Sequence, residues 1–207
     1  MKIGKQDAPF QSICTSNAET IIVRGHDLVE DLIGSISFTE HMWLLVTGSM
    51  PTDMQRRVLD ATLVAIAEHG MVPSVQAARM TLAAAPEALQ GAVAVGLLGC
   101  GSVILGASES AGVLLQAIID EQDASQAGID AAAVTVVRRY RADRRAIPGF
   151  GHPLHKGRDP RAEKLIAIGA KLGTAGRYAQ AVEAVERCVA EIVGKPLMMN
   201  VSGAIPC

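Results

Sequence analysis

Long stretches of this chain repeat their apolar residues at the spacing of an α-helix, and almost none alternate as a half-buried strand does. Nine helices are predicted, at about 26–36, 39–47, 52–68, 75–85, 87–98, 107–123, 129–142, 161–172 and 178–193. A short β-branched segment at 19–23 predicts a strand or an extended arm. A sheet protein is therefore excluded, and the fold class is mainly α.

Turn and capping residues separate the predicted helices. The Gly-Ser-Met-Pro sequence at 48–51 is a clear turn. Thr52 is positioned to cap the next helix, and Gln55 completes a capping box. Asp159 followed by Pro160 is typical of a helix start, with an acidic N-cap and proline at the first helical position.

The 207 residues allow one large or two small domains, each able to bury a core. Hydrophobic residues make up 49% and charged residues 19%, which excludes a disordered chain, and 3% aromatics predict an aliphatic core. A net charge of -2 argues against broad nucleic-acid binding. We expect residues 1–128 and 195–207 to form a large helical domain and the more charged residues 129–194 a small lobe. The apolar, uncharged end at 200–207 predicts a truncated C-terminus.

Cysteines and apolar runs indicate the compartment. The four cysteines are far apart and form no Cys-x-x-Cys pair, so we expect no disulfide framework, no metal site and a cytoplasmic location. The N-terminus carries no signal-peptide pattern. The uncharged run at 88–105 has the length of a membrane span, but we interpret it as buried helices, and glycines between 96 and 106 predict close helix packing.

The segment 148–162 combines glycines, histidines and charges directly before a predicted helix. Gly149, Gly151 and Gly157 would let the backbone approach a ligand closely. His152 lies among them, where an imidazole can donate a hydrogen bond to a ligand carbonyl or move a proton. Arg161 follows in the first helical turn, and its guanidinium suits a carboxylate.

The Gly-Phe-Gly-His sequence at 149–152, followed by Asp-Pro-Arg at 159–161, resembles the signature of the citrate synthase superfamily, in its citryl-CoA lyase-like branch. Segments at 37–51, 67–70 and 101–109 are similar to further parts of the family in the same order. The resemblance implies a multi-helical fold in which a small lobe closes over acyl-CoA. It also implies a homodimer or higher homo-oligomer that completes its site across the interface. No membrane or nucleic-acid partner is expected.

The resemblance implies roles for particular residues. His152 would bind the carbonyl or hydroxyl of a four-carbon acid, Arg161 would pair with a carboxylate of that acid, and His69 would contact it too. The coenzyme-A-binding candidates are His155, Lys156 and Gly151, although the first two are equally readable as solvated loop charges. Coenzyme A or acyl-CoA is expected as a substrate, with no tightly bound cofactor.

Two departures from the family concern catalysis. Ile104 stands where citrate synthases carry the histidine that polarises the thioester, and Arg79 occupies the segment that supplies the related histidine in the lyase branch. Ser202 stands where the family has its aspartate base, and an unactivated hydroxyl is a far poorer base than a carboxylate. The catalytic candidates are therefore His152, Arg79 and Ser202.

The sequence supports two functional hypotheses. One is an enzyme, similar to citryl-CoA lyase or citrate synthase, acting on the bond between an acetyl-CoA unit and oxaloacetate or a similar 2-oxo acid. The other is a degenerate homologue that binds acyl-CoA or dicarboxylates without chemistry. Structural roles stay open as well. His69 could interact with the dipole of a helix end, and Arg79 could pair with an internal acid such as Glu109. The arginines at 138–145 could form a solvated helix end or bind the phosphates of coenzyme A.

Overall fold

The structure, a computed structural model, describes residues 12–103, 105–151, 157 and 159–207. It is 62% helix and 5% strand, which confirms the mainly α prediction. The helices are α1 (Phe38–Thr47), α2 (Asp53–Ile66), α3 (Pro73–Ala84), α4 (Leu89–Leu98), α5 (Ala107–Ser125), α6 (Ile129–Ala142), α7 (Pro160–Leu172), α8 (Arg177–Val193) and α9 (Val201–Ala204). Contacts divide the chain into two compact units, residues 1–61 and 62–207. The division into a large helical domain and a small lobe stays a prediction.

The first unit begins with an antiparallel three-stranded sheet of β1 (Cys14–Ser16), β2 (Ile21–Val23) and β3 (His26–Asp27). Arg24 and Gly25 form the tight turn between β2 and β3, with φ of 49° and 87°. The Arg24 guanidinium donates to the Leu45 carbonyl, at 3.1 Å from Nε and 2.7 Å from Nη2. These bonds fasten the turn to α1.

The predicted helix at 26–36 is wrong in its extent. The chain instead forms β3 and a single π-helical turn, Leu28–Leu32. The Asp27 carboxylate starts that turn by accepting from Val29 N and Glu30 N. Ile33 is extended and Gly34 has a φ of +80°, so the helix cannot continue. The local hydrogen bonds that the Asp27 carboxylate accepts outweigh the helical periodicity here.

Capping residues define the ends of α1 and the start of α2. Ser37 and Glu40 form a reciprocal capping box at the start of α1, and Gly48 ends it in the left-handed conformation. Thr52 and Gln55 exchange hydrogen bonds, with Gln55 N donating to Thr52 Oγ1 at 3.2 Å. The predicted capping box of α2 is confirmed.

In the second unit, glycines bring α3 and α4 into close contact. A Cβ on Gly99 would lie 2.9 Å from the Ser74 Cβ, and one on Gly96 would lie 3.3 Å from the Ala78 Cβ. The start of α3 therefore packs against the end of α4, as in an antiparallel pair. This confirms that Gly96 and Gly99 serve helix packing. In the described part of the chain, no helix is both long and apolar enough to cross a membrane.

The main core of the second unit lies between α5, α6 and α8. Its fully buried side chains are aliphatic, as the low aromatic content predicts: Leu114, Leu115, Ile118, Val137, Val182, Val185 and Val189. The four cysteines all lie in the described part of the chain, and none of them forms a disulfide there. Burial raises the pKa of the Cys207 thiol to about 12, so it stays protonated.

α9 is a single short turn of helix that the sequence analysis did not predict. It packs against α5 and α7. Val201, Gly203 and Ala204 of α9 are buried. Through these contacts the uncharged segment at 200–207 becomes part of the folded core.

Candidate functional site

The Gly-Phe-Gly segment at 149–151 pairs with the chain just before α9. Gly151 N donates to the Met198 carbonyl at 2.7 Å, and Asn200 N donates to the Gly149 carbonyl at 2.9 Å. The Asn200 side chain adds a bond from Nδ2 to the Gly151 carbonyl at 2.6 Å. The backbone groups of Gly151 are thus bound within the protein rather than directed at a ligand.

Two glycines make this crossing possible. Gly149 has a φ of +80°, and a Cβ there would lie 2.6 Å from the Gly203 Cα. A Cβ on Gly203 would lie 2.7 Å from the Gly149 carbonyl oxygen. Both distances are shorter than real Cβ contacts, so both positions require glycine.

Asn200 positions Ser202, the residue that replaces the expected base. Its Oδ1 accepts from Ser202 N at 2.9 Å and so caps α9. Ser202 is half-buried in this helix. The backbone of Ser202 is therefore fixed in the first turn of α9, next to the crossing with the 149–151 segment.

Asp159 is a buried carboxylate, only 2% exposed, at the N-cap of α7. Its Oδ1 accepts from the backbone N and the Nε of Arg161, both at 3.1 Å. Its Oδ2 accepts from Arg161 Nη2 and from Val201 N, both at 3.0 Å. Burial alone would raise the pKa of Asp159, but the hydrogen bonds from Arg161 and Val201 outweigh it and hold the pKa below the ordinary value.

Arg161 is held by one edge of its guanidinium. The Nε and Nη2 atoms face Asp159, and the side chain remains 30% exposed. A guanidinium has five N–H donors, so Nη1 and the second Nη2 hydrogen lie outside this pair. These are the donors with which an arginine forks onto a carboxylate end-on.

A basic cavity of about 630 Å³ lies next to this crossing. Phe150, Gly151 and Leu197 contribute its apolar wall. Its cationic lining residues are Arg141, Arg144, Arg145 and Lys195. Arg145 also stacks on Tyr140, with Cζ 4.1 Å from the ring centroid. Four cations beside an apolar wall suit a phosphorylated ligand with a flat or apolar part.

A second cavity, of about 360 Å³, has the opposite charge. It lies between α7 and α8, and its lining includes Glu163, Glu183, Glu186 and Met199. Its lining also includes Asp159 and, among the described residues, contains no arginine or lysine. Of these two cavities, the basic one therefore suits an anionic ligand.

The sequence of the chain matches the profile of one protein family. The sequence profile of the citrate synthase C-terminal domain matches residues 52–204. The chain belongs to the citrate synthase family. Comparison with curated protein sequences gives no match.

Solved structures of this family share the fold. Citryl-CoA lyase from Hydrogenobacter thermophilus is 32% identical with a TM-score of 0.80, over 95% of this chain and 73% of that one. ATP citrate lyase from Methanothrix soehngenii, in complex with citrate and coenzyme A, is 21% identical with a TM-score of 0.76, over 99% of this chain and 32% of that one. Citrate synthase from Thermotoga maritima is 23% identical with a TM-score of 0.62, over 82% of this chain and 44% of that one.

Some predicted site residues meet in the structure. Arg161 and the segment that carries Ser202 are joined through Asp159, and Gly151 is joined to that segment through Asn200. Four residues lie outside the described ones, namely Ile104, His152, His155 and Lys156. The roles of all these residues stay predictions.

Arg79 and His69 lie in other surroundings. Arg79 is exposed on α3, so the requirement for a buried anionic partner, such as Glu109, does not arise. Glu109 is exposed too. His69 is exposed in the segment between α2 and α3, beyond the end of α2 at Ile66. The predicted helix to residue 68 is therefore too long, and an interaction of His69 with the dipole of that helix loses its basis.

Two site features were missed from the sequence. Asn200 was not recognised as a helix cap, although an asparagine before a short apolar segment is a usual signal for one. Asp159 was recognised as a cap, but its bond to Val201, 42 positions along the chain, has no local signal. Only the folded chain brings these groups together.

Proposed function

We propose that this chain makes or breaks the carbon–carbon bond between an acetyl-CoA unit and oxaloacetate or a similar 2-oxo acid, as citryl-CoA lyase does. The observation that carries the proposal is Arg161, held side-on by the buried Asp159 next to the Ser202 segment. The 32% identity to a citryl-CoA lyase supports this chemistry over that of a more distant family member.

The acid part of the substrate would bind at the start of α7. Arg161 presents donors beyond those that face Asp159, and a carboxylate accepts two of them in a fork. His152 would donate to the carbonyl or hydroxyl of the same acid. The complex of ATP citrate lyase with citrate supports a tricarboxylate in this family.

Coenzyme A would occupy the basic cavity as a substrate, not as a resident cofactor. Arg144, Arg145 and Lys195 would neutralise its phosphates, while Phe150 and Leu197 offer apolar contact. Gly151 lines the same cavity, which supports its coenzyme-A-binding role as part of the wall. His155 and Lys156, nearby in sequence, would add to this charge.

The reaction itself is a redistribution of charge. In cleavage, the hydroxyl proton of the citryl unit leaves, the carbon–carbon bond breaks, and its electron pair passes into the acetyl thioester as an enolate. That enolate takes up a proton at carbon to give acetyl-CoA, and oxaloacetate remains. Stabilising the enolate is mainly electrostatic, and Arg79 is the cation proposed for it.

A second candidate function is ligand binding without turnover. Ser202 supports it, because an unactivated hydroxyl is a much weaker base than the family's aspartate. The two candidates share the binding residues and differ only in the proton-transfer step.

The proposed assembly is a homodimer. Apolar side chains on the second unit lie exposed in the single chain: Met80, Leu89, Val93, Leu97, Leu98 and Val113. Exposed apolar side chains in this number are typical of an interaction site. A second copy would cover it.

The test is incubation with citryl-CoA and, separately, with acetyl-CoA plus oxaloacetate, following thioester absorbance and free thiol. Wild-type turnover should be lost in His152→Ala and kept in Arg187→Ala, which alters an exposed ion pair with Asp130. Ser202→Asp should accelerate turnover by roughly tenfold or more, because a carboxylate can take the proton.

The outcomes separate the candidates. Turnover that depends on His152 supports the enzyme. Tight binding of citryl-CoA with no turnover, followed by turnover in Ser202→Asp, supports the degenerate binder. Neither binding nor turnover of any of these compounds would overturn both.

A further inference from the structure

We infer that Asp159 is the positioning residue for substrate binding: it turns the outer edge of Arg161 toward the bound acid and fastens α9 to the same point. This inference rests on the proposed function, because it assigns a role within that binding site.

The pair of Asp159 with Arg161 has a geometry that fixes the guanidinium. Asp159 Oδ1 lies 3.1 Å from Arg161 Nε, and Oδ2 lies 3.0 Å from Nη2. A guanidinium is planar and rigid, so fixing these two atoms also fixes the direction of Nη1. The edge between Nη1 and Nη2 is left for a carboxylate on the exposed side of Arg161.

The second step is the burial of Asp159. Its side chain is 1% exposed, whereas that of Arg161 is 30% exposed. A buried carboxylate has no water to compete for its lone pairs, so it holds its partner in one orientation. The pair of Arg187 with Asp130 is much more exposed by comparison, because its side chains are 54% and 66% exposed.

The third step is the bond to α9. Asp159 Oδ2 also accepts from Val201 N at 3.0 Å, one residue before Ser202. The same carboxylate thus carries the acid-binding arginine and the first amide of α9. Arg161 and Ser202 are kept in register by one side chain.

The experiment compares Asp159→Asn with Asp130→Asn, a matched control that alters a similar side-on pair of Asp130 with Arg187. Citrate and coenzyme A binding are measured separately by calorimetry. Asp159→Asn should weaken citrate binding by roughly tenfold to a hundredfold, as expected for a charge-assisted contact, and leave coenzyme A binding within about twofold. Asp130→Asn should change neither.

A second measurement needs only folded wild-type protein. The Arg161 Nε–H resonance, assigned by its absence in Arg161→Lys, should exchange with water roughly tenfold more slowly than that of Arg187. Equal exchange rates would overturn the inference even if Asp159→Asn does not fold.

Failure of the positioning role and failure of the proposed function would give different results. Equal citrate affinity in wild type and Asp159→Asn, or equal losses for citrate and coenzyme A, overturns the positioning role and leaves the proposed function standing. A wild-type protein that binds neither citrate nor oxaloacetate overturns the acid site, and the positioning role with it.

Discussion

Gly149 and Gly203 are the residues through which the 149–151 segment and α9 come into close contact. Neither tolerates a Cβ, because the backbone atoms of one occupy the space where the side chain of the other would begin. The glycines of the 149–151 segment thus serve packing between backbones. Their contribution to ligand binding is indirect, through the shape of the crossing.

Gly149→Ala should destabilise the protein by about 2–4 kcal/mol, since it combines a positive φ with a backbone clash. Urea unfolding followed by circular dichroism measures the effect. Gly128→Ala is the control, because Gly128 has a φ of -68° and nothing within 4 Å of an added Cβ. Equal stability of the two variants would contradict the close contact of Gly149 with Gly203.

The Asp159 carboxylate makes stability depend on pH. Its pKa is lower in the folded chain than its ordinary value, so the folded state favours the charged form. The stabilisation is fully present above the unfolded pKa of about 4 and is lost as pH falls through the lower folded pKa. Asp159→Asn should therefore lower the free energy of unfolding by about 2 kcal/mol near neutral pH and by progressively less in acid.

Unfolding free energies of wild type and Asp159→Asn, measured from about pH 7 down to about pH 3, check this expectation. Asp130→Asn should cost only about 0–1 kcal/mol, because its ion pair with Arg187 is exposed. A difference in unfolding free energy between wild type and Asp159→Asn that grows in acid would contradict the lowered pKa of Asp159.

Capping groups decide where elements start and stop. Ser37 and Glu40 start α1, Asp159 starts α7 and Asn200 starts α9. Where capping and periodicity agree, the predicted boundary is right to within a residue or two. Where they compete, as at Asp27, the side-chain hydrogen bonds prevail and the predicted helix is replaced by a strand and a π turn.

Arg141 at the end of α6, with Arg144 and Arg145 just after it, supplies most of the charge of the basic cavity. Arg144→Ala and Arg145→Ala should each weaken coenzyme A binding by roughly tenfold, and less at high salt, because each removes a cation from the proposed phosphate site. Calorimetry at two salt concentrations measures this. Arg187→Ala is the control on another helix, and unchanged affinity in both cavity variants would exclude this cavity as the coenzyme A site.

At the scale of the whole molecule, the apolar exposure of the second unit is its most consequential property. Leu89, Val93 and Leu97 follow one another at a spacing of four along α4, so they form one stripe, and they are exposed in the single chain. We name these three residues the α4 stripe. A stripe of this kind favours burial against another molecule.

Leu97→Glu should shift the proposed dimer to monomer, since it places a charge in the α4 stripe, where the proposed interface would exclude water. Sedimentation velocity gives the mass. Gln90→Glu is the control, because it adds the same charge to an exposed residue of α4 outside the stripe. A wild-type monomer, or a dimer unaffected by Leu97→Glu, would contradict the proposed interface.

The sequence by itself determined the mainly α class, most helix boundaries and the family, because periodicity, capping and the Gly-His with Asp-Pro-Arg signature are local patterns. It also singled out Arg161 and Ser202 as candidates. None of these conclusions depends on residues distant in the chain.

Only the tertiary structure decided how the candidates meet. The bond of Asp159 to Val201, the crossing of Gly149 with Gly203, and the gathering of Arg144, Arg145 and Lys195 around one cavity each join parts of the chain separated by tens of residues. Such contacts arise from the packing of α5 to α9 against one another and leave no periodic trace. The physical reason is that a hydrogen bond or a steric fit depends on distance in space, which local sequence patterns do not encode.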